Sequence, residues 1–169
     1  MNYHNITHED MNNGDGLRVV LWVSGCEHHC PECQNPQTWG YESGVHFDES
    51  ALGEIFLELN KDYISGITFS GGDPLALGNC AKVANLCYHI KKYFPNKTIW
   101  VYTGYTWEEL LARNNFYVND ILRNTDVLVD GEYKKNLRDL KLKWRGSSNQ
   151  RVIDVQESLR TGKVVLHCD

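Results

Sequence analysis

Residues Arg18–Ser24 read Arg-Val-Val-Leu-Trp-Val-Ser. A short apolar run of this kind, launched by a turn-forming stretch at residues 12–16, predicts a buried β-strand. The loop that follows reads Cys-Glu-His-His-Cys-Pro-Glu-Cys and places cysteines at Cys26, Cys30 and Cys33. The predicted strand therefore carries three clustered thiols directly after its carboxyl end.

Further strands are predicted downstream of this loop. Apolar runs indicate strands at Gly66–Ser70, Thr98–Thr103 and Asp126–Asp130, with a last strand at Val164–Leu166. Each of the first three is followed by turn-forming or polar residues. Predicted strands therefore recur along most of the chain.

Helical patterns separate the predicted strands. Apolar residues at helical spacing over residues 52–59 predict a helix for which Asp48 is the N-cap. Residues 80–90 form a second apolar helical face, and that helix should end near Pro95. Thr106 and Glu109 have the spacing of a capping box and predict the start of a third helix.

The alternation of strands and helices predicts an α/β fold with a mostly parallel sheet. The chain has 169 residues, which is too short for eight βα units of about 30 residues each. We therefore expect an open partial (βα) barrel in a single domain over residues 1–169. Residues 152–169 are predicted to be a C-terminal tail without a recognised motif.

Composition and charge exclude several classes of partner. The formal net charge is −5, and no Lys/Arg run exceeds two residues, which argues against nucleic acid. No apolar run approaches the roughly 20 residues of a membrane span, and the N-terminus is polar, unlike a signal peptide. A cytoplasmic location is expected, where clustered cysteines indicate metal or redox chemistry.

Three thiolates at the spacing of Cys26, Cys30 and Cys33 can hold three corners of a [4Fe–4S] cube. The fourth iron then has no protein ligand and can bind a substrate. Two alternatives stay open: a structural zinc site with His28 or His29 as fourth ligand, and an electron carrier, which needs a fourth cysteine. Both histidines are otherwise predicted to be solvated loop residues.

A glycine motif follows the next predicted strand. Gly71-Gly72-Asp73-Pro74 permits positive φ and close backbone approach to a ligand, and the Asp73 carboxylate can attract an amino group. An ordinary strand-to-helix turn also has this composition. Because the carboxyl ends of parallel strands meet at one sheet edge, this motif, the cysteine loop, Thr103–Tyr105 and Asp130–Glu132 should converge.

These motifs together resemble the radical S-adenosylmethionine enzymes, which have Cys-x-x-x-Cys-x-x-Cys after the first strand and a glycine-rich motif after the second. Other segments extend the resemblance: Asn35, Thr38-Trp39, Ser70–Leu75, Trp100–Tyr105, Val129–Gly131 and Trp144–Gln150. From about residue 2 to residue 151, the series is similar to the proteins that activate anaerobic ribonucleoside-triphosphate reductases.

The resemblance implies two cofactors, a [4Fe–4S] cluster and S-adenosylmethionine. It implies that the amino and carboxylate groups of S-adenosylmethionine chelate the open iron, and that one electron from the cluster breaks a carbon–sulfur bond. The 5′-deoxyadenosyl radical so formed removes hydrogen from a backbone glycine of the reductase. A flavodoxin-like electron donor is implied as a second partner, and a homodimer is compatible with the resemblance.

The resemblance also implies roles for particular residues. Cys26, Cys30 and Cys33 bind the cluster. Cofactor contacts are expected at Glu32, Gln34, Gly71, Gly72, Asp73, Thr103 and Asp130. The glycine motif is expected to hold the methionine amino group, and Thr103 and Asp130 the ribose or carboxylate region. Gln34 should contact the nucleoside through its backbone. Glu32 replaces an aromatic residue that often packs on adenine, so adenine must be held by backbone or another side chain.

Two other functions remain open at this level. One is a radical enzyme that acts on another glycyl-radical protein or on a small molecule. The other is a non-enzymatic zinc-binding module. Residues Arg145–Gln150 are a candidate contact for the partner's glycine loop, although a polar surface turn has the same composition.

Overall fold

The computed structural model describes residues 1–168. Its strands are β1 (Asn2–Asp10), β2 (Leu17–Val23), β3 (Val45–His46), β4 (Ile64–Gly71), β5 (Thr98–Tyr102), β6 (Val127–Asp130), β7 (Arg151–Asp154) and β8 (Leu166–Cys168). Its α-helices are α1 (Glu49–Leu59), α2 (Cys80–Tyr93), α3 (Trp107–Arg113), α4 (Phe116–Asn124) and α5 (Val155–Thr161). Within residues 1–168, no helix has both the length and the apolar character needed to cross a bilayer.

The strands form one mixed sheet of eight in the order β3-β1-β2-β4-β5-β6-β7-β8. The prediction of an α/β fold is confirmed. The four central strands β2, β4, β5 and β6 are parallel, whereas the strands at both margins pair antiparallel. A mostly parallel sheet therefore describes only the centre. The short link at residues 11–16 explains why β1 and β2 pair antiparallel. Parallel neighbours require a long crossover connection, and this link has no room for a crossover helix.

The two faces of the sheet have different coverings, because successive side chains on a strand point to opposite faces. Leu21, Phe69 and Val101 lie in the main apolar core together with residues from all five helices. Trp22, Ser70 and Tyr102 alternate with them and line a cavity instead. The helices therefore bury one face, and the other is left for a site.

The helix starts predicted from sequence are confirmed. The Asp48 carboxylate accepts a hydrogen bond of 2.9 Å from the Ala51 amide and caps α1. Thr106 and Glu109 form the reciprocal capping box of α3. The central strands also agree with prediction to within two residues, and the helix over residues 80–90 is α2.

Several elements were not predicted. Strand β1 is largely polar and has a single buried side chain, Ile6, so its sequence lacks the apolar alternation of a strand. Helices α4 and α5 are nine and seven residues long, too short for a clear periodicity. Residues 152–168, in which the sequence has no recognised motif, contribute to β7, α5 and β8, which extend the sheet and bury Val152 and Ile153. Strand β8 also begins two residues later than predicted. Asp169 lies outside the described residues.

Candidate functional site

A cavity of about 380 Å³ opens at the carboxyl ends of the four parallel strands. This volume lies within the range of small-molecule sites. Most of the site residues predicted from sequence line it: Cys26, Cys30, Cys33, Gln34, Gly71, Gly72, Asp73 and Thr103. The predicted convergence of loops from different strands is therefore confirmed. Glu32 and Asp130 are not part of the lining.

Asp73 holds the strand ends together. Its carboxylate is buried and accepts hydrogen bonds from the Thr103 hydroxyl at 2.9 Å, the Gly104 amide at 2.9 Å and the Leu75 amide at 2.9 Å. A further contact of 2.7 Å joins it to His28 Nε2. Both carboxylate oxygens are thus occupied by partners from this chain. The carboxylate links the cysteine loop to the ends of β4 and β5.

His28 is part of the site, although the sequence suggested it only as a zinc ligand or as a solvated loop residue. Its side chain is only 9% exposed and lies between Asp73 and Glu132, with the Glu132 contact at 2.9 Å from Nδ1. Burial acts to lower the pKa of His28, but the hydrogen bonds and charges of the two carboxylates outweigh it and raise the pKa to about 9. The prediction of a solvated loop residue was wrong, because both carboxylates are remote in sequence.

The cysteine loop is held by its backbone. The Cys26 amide donates to the Trp39 carbonyl at 3.0 Å, and the Cys33 amide donates to the Cys30 carbonyl at 3.0 Å. All three cysteines are partly buried and face the cavity. Burial raises the pKa of the Cys26 thiol to about 11, and burial is also the main reason that the pKa of Cys30 is raised.

The donor set suits a cluster that binds each thiolate at a different iron. A single zinc ion instead needs ligands converging on one point. Of the candidate fourth ligands, His28 is engaged by two carboxylates, and His29 stacks on Trp39 with ring centroids 4.5 Å apart.

The glycine motif packs directly on the loop that follows β2. Gly71 has φ of +92°, a conformation that favours glycine. The Gly72 amide donates to the Val23 carbonyl, and the Asp73 amide donates to the Gly25 carbonyl, both at 2.8 Å. A Cβ on Gly72 would lie 2.5 Å from the Gly25 carbonyl oxygen. The absence of a side chain is what allows the two turns to touch.

The Gly72→Ala variant is expected to lose about 1–3 kcal/mol of unfolding free energy, because its methyl group forces the two backbone turns apart. Gly53→Ala is the matched control. Gly53 is exposed within α1, and a Cβ added there would have no neighbour within 4 Å, so alanine should stabilise the protein by about 0.5–1 kcal/mol. Urea unfolding of both variants measures the difference. Equal stabilities would contradict the tight packing of the two turns.

Asp130 and Glu32 lie outside the cavity for different reasons. The Asp130 side chain is buried and pairs with Arg151, with contacts of 3.1 Å and 2.5 Å, and it accepts the Trp107 amide at 2.8 Å. The next residue, Gly131, lines the cavity instead. Glu32 is exposed and pairs with Lys135 at 2.6 Å. Neither position supports a direct ligand contact by the side chain.

Aromatic side chains form part of the cavity wall. Trp22 lines the cavity together with Tyr102 and Trp144. The Tyr102 hydroxyl donates to the Trp144 carbonyl at 2.7 Å and so fixes the wall to β5. Strand alternation places Trp22 and Tyr102 on the helix-free face, a signal that was present in the sequence. Trp100, two residues before Tyr102 on β5, is buried.

Comparisons with known proteins agree with this site. A family model described as a 4Fe-4S single cluster domain matches residues 12–153. A protein of Escherichia coli is 44% identical over 154 residues, which cover 90% of this chain and 97% of the relative. A protein of Enterobacteria phage T4 is 43% identical over 152 residues, which cover 90% and 93%. Each bears the name anaerobic ribonucleoside-triphosphate reductase-activating protein.

A loop of three cysteines at the edge of an α/β sheet, together with the family match, places the chain among single-cluster 4Fe-4S proteins. Sequence identity above 40% to the two relatives, across nine-tenths of the chain, identifies a particular family within this class. The chain belongs to the family of anaerobic ribonucleoside-triphosphate reductase-activating proteins.

Proposed function

We propose that this protein cleaves S-adenosylmethionine reductively and generates a glycyl radical on an anaerobic ribonucleoside-triphosphate reductase. When bound, a [4Fe–4S] cluster with one open iron would supply the electron, and S-adenosylmethionine would supply the 5′-deoxyadenosyl radical that removes the glycine hydrogen. The observation that carries the proposal is the cavity in which the three cysteines and the glycine motif face each other.

Cys26, Cys30 and Cys33 are the proposed cluster ligands. They come from one loop in which backbone hydrogen bonds tie Cys26 to Trp39 and Cys33 to Cys30, so their spacing is restricted before a cluster binds. Restricted spacing limits the conformational entropy that is lost on loading. Partial burial also keeps the three sulfurs away from bulk water, which protects a reactive centre from side reactions.

Gly71 and Gly72 are proposed to bring backbone close to the methionine end of S-adenosylmethionine. Asp73 and Thr103 are proposed to act mainly by holding this rim in place, because the Asp73 carboxylate is engaged by Thr103, Gly104 and His28. Gln34 lines the cavity and is proposed to meet the nucleoside. The wall formed by Trp22 and Tyr102 offers apolar surface for the adenine, which Glu32 cannot supply.

We also propose that residues 1–169 form one domain of the open partial barrel type. The central strands follow one another in sequence without a reversal of order, and residues from all five helices share one core. A sheet wound in one direction with helices on one face is the arrangement from which (βα) barrels are built. A flavodoxin-like protein is the proposed electron donor, as the family resemblance implies.

The glycyl-radical assay tests cofactor, chemistry and partner together. The protein is reconstituted with iron and sulfide without oxygen, reduced, and mixed with S-adenosylmethionine and the reductase. We expect 5′-deoxyadenosine and a glycyl doublet in electron paramagnetic resonance. Cleavage without a doublet would favour another radical acceptor. Stoichiometric zinc without acid-labile sulfide in anaerobically purified protein would indicate a zinc-binding module.

A further inference from the structure

A strongly basic loop borders the cavity of this acidic protein. We define the basic loop as residues Lys134–Arg145, in which six of twelve residues are Lys or Arg and one is Asp. The whole chain has a formal net charge of −5, so this loop opposes the average charge of the molecule. Its outer side chains, Lys134, Lys135, Arg138, Lys141 and Lys143, are all exposed.

The basic loop is continuous with the site. Leu142, Trp144 and Arg145 line the cavity, as does Tyr133 directly before the loop. Whatever enters the cavity from this side must pass over the exposed lysines. The loop therefore forms one rim of the opening, with its inner residues in the wall and its cations outside.

The loop is anchored at its two ends, and the Lys134 amide donates to the Ser147 hydroxyl at 3.1 Å. The Gln150 side-chain oxygen accepts hydrogen bonds from the Gly146 and Ser147 amides at 3.0 and 3.1 Å, and its nitrogen donates to the Gly131 carbonyl at 3.0 Å. The Trp144 ring packs on Trp100 with centroids 5.7 Å apart. Because the ends of the loop are held in this way, less conformational entropy is lost when a partner binds to it.

Most of the charges on the loop have no counterion among residues 1–168. Lys135 pairs with Glu32, whereas Lys134, Arg138, Lys141 and Lys143 form no ion pair within that range. Leu140 lies among them and is 85% exposed, the largest exposed fraction of the large apolar side chains in the described residues. An apolar anchor ringed by charges is typical of a protein–protein interface.

We propose that the basic loop is the surface on which the target polypeptide docks, through a segment of that polypeptide that carries acidic side chains and an apolar residue for Leu140. The inference rests on the proposed function, because the target residue must be carried by a macromolecule that reaches into the cavity. Charge complementarity selects an acidic partner and speeds its approach. Leu140 favours a protein over a nucleic acid, since phosphate contacts alone need no apolar anchor.

The test measures affinity for the anaerobic ribonucleoside-triphosphate reductase, without oxygen and at several salt concentrations. Lys141→Glu/Lys143→Glu is expected to weaken binding by about tenfold or more and to flatten its salt dependence. Leu140→Ser is expected to weaken binding with the salt dependence retained. The matched control is Lys92→Glu/Lys163→Glu, which reverses two exposed lysines outside the cavity lining and should bind like the wild type.

A second measurement separates this inference from the proposed function. Cleavage of S-adenosylmethionine without reductase should be the same in wild type and in the Lys141→Glu/Lys143→Glu variant, because neither lysine lines the cavity. If the wild type binds the reductase and the loop variant binds equally well, the docking inference is wrong and the proposed function stands. If wild type cleaves S-adenosylmethionine but binds no reductase, the proposed partner fails and the inference with it. A different result would overturn the inference in favour of nucleic acid. In that case, single-stranded DNA would bind the wild type and not the loop variant, while both would bind the reductase with equal affinity.

Discussion

Replacement of Cys30 by alanine is expected to abolish cluster binding and to lower the cleavage of S-adenosylmethionine by more than about 100-fold. Removal of a residue that only orients a metal ligand through a hydrogen bond already lowers metal affinity or activity about 10–100-fold. Removal of the ligand itself should therefore lower them more. Cys30 also accepts the Cys33 amide through its carbonyl, and alanine keeps that backbone contact, so the loop should hold its shape. Iron and sulfide content, the visible absorption of the cluster, and formation of 5′-deoxyadenosine measure the effect.

Cys168→Ala is the matched control for this experiment. Cys168 is also a free, partly buried cysteine, but it lies on β8 and does not line the cavity. It should keep its cluster and its activity. Full cleavage by Cys30→Ala would refute the proposed ligand set, since two thiolates would then suffice.

Replacement of Arg151 by methionine is expected to lower the unfolding free energy by about 3–5 kcal/mol. Arg151 is the cationic partner of Asp130, whose side chain is completely buried, and removal of one partner of such a pair leaves an uncompensated charge. Methionine retains much of the apolar stem, so the loss is chiefly that of the guanidinium. Urea unfolding without oxygen, with the slope of the transition compared between variants, measures the change.

Arg160→Met provides the matched control. Arg160 also pairs with a carboxylate, that of Glu157, but 70% of its side chain is exposed, and water and salt screen such surface pairs so that they contribute little to stability. If Arg151→Met lowers the unfolding free energy no more than Arg160→Met does, burial of the Asp130 carboxylate does not require its ion pair with Arg151. The comparison therefore isolates the effect of burial.

Much of the site could be predicted because its signals are local. The spacing of Cys26, Cys30 and Cys33 is contained in one loop, and the glycine motif lies at the end of one strand. The rule that carboxyl ends of parallel strands meet then sufficed to bring the two together. The same is true of the capping box at Thr106, which depends on residues three positions apart.

The margins of the sheet could not be predicted in this way. Strand β1 has a polar sequence and is a strand because it pairs with β2 on one side and β3 on the other. Strand β7 has only two apolar residues, Val152 and Ile153, whereas the equally short β6 has three, so its apolar pattern does not stand out in the sequence. In both cases, backbone pairing with a neighbour supplies what the local pattern lacks, and that neighbour is known only from the fold.

The amino-acid sequence by itself determined the α/β class, the cysteine loop, the glycine motif and the family resemblance, because periodicity, capping and motif spacing act over a few residues. The tertiary structure alone decided how the buried carboxylates are used. Asp73 meets His28 and Thr103, and Asp130 meets Arg151, across separations of 21 to 45 residues. A buried carboxylate takes the donors that the fold brings to it, and no local pattern specifies which donors those are.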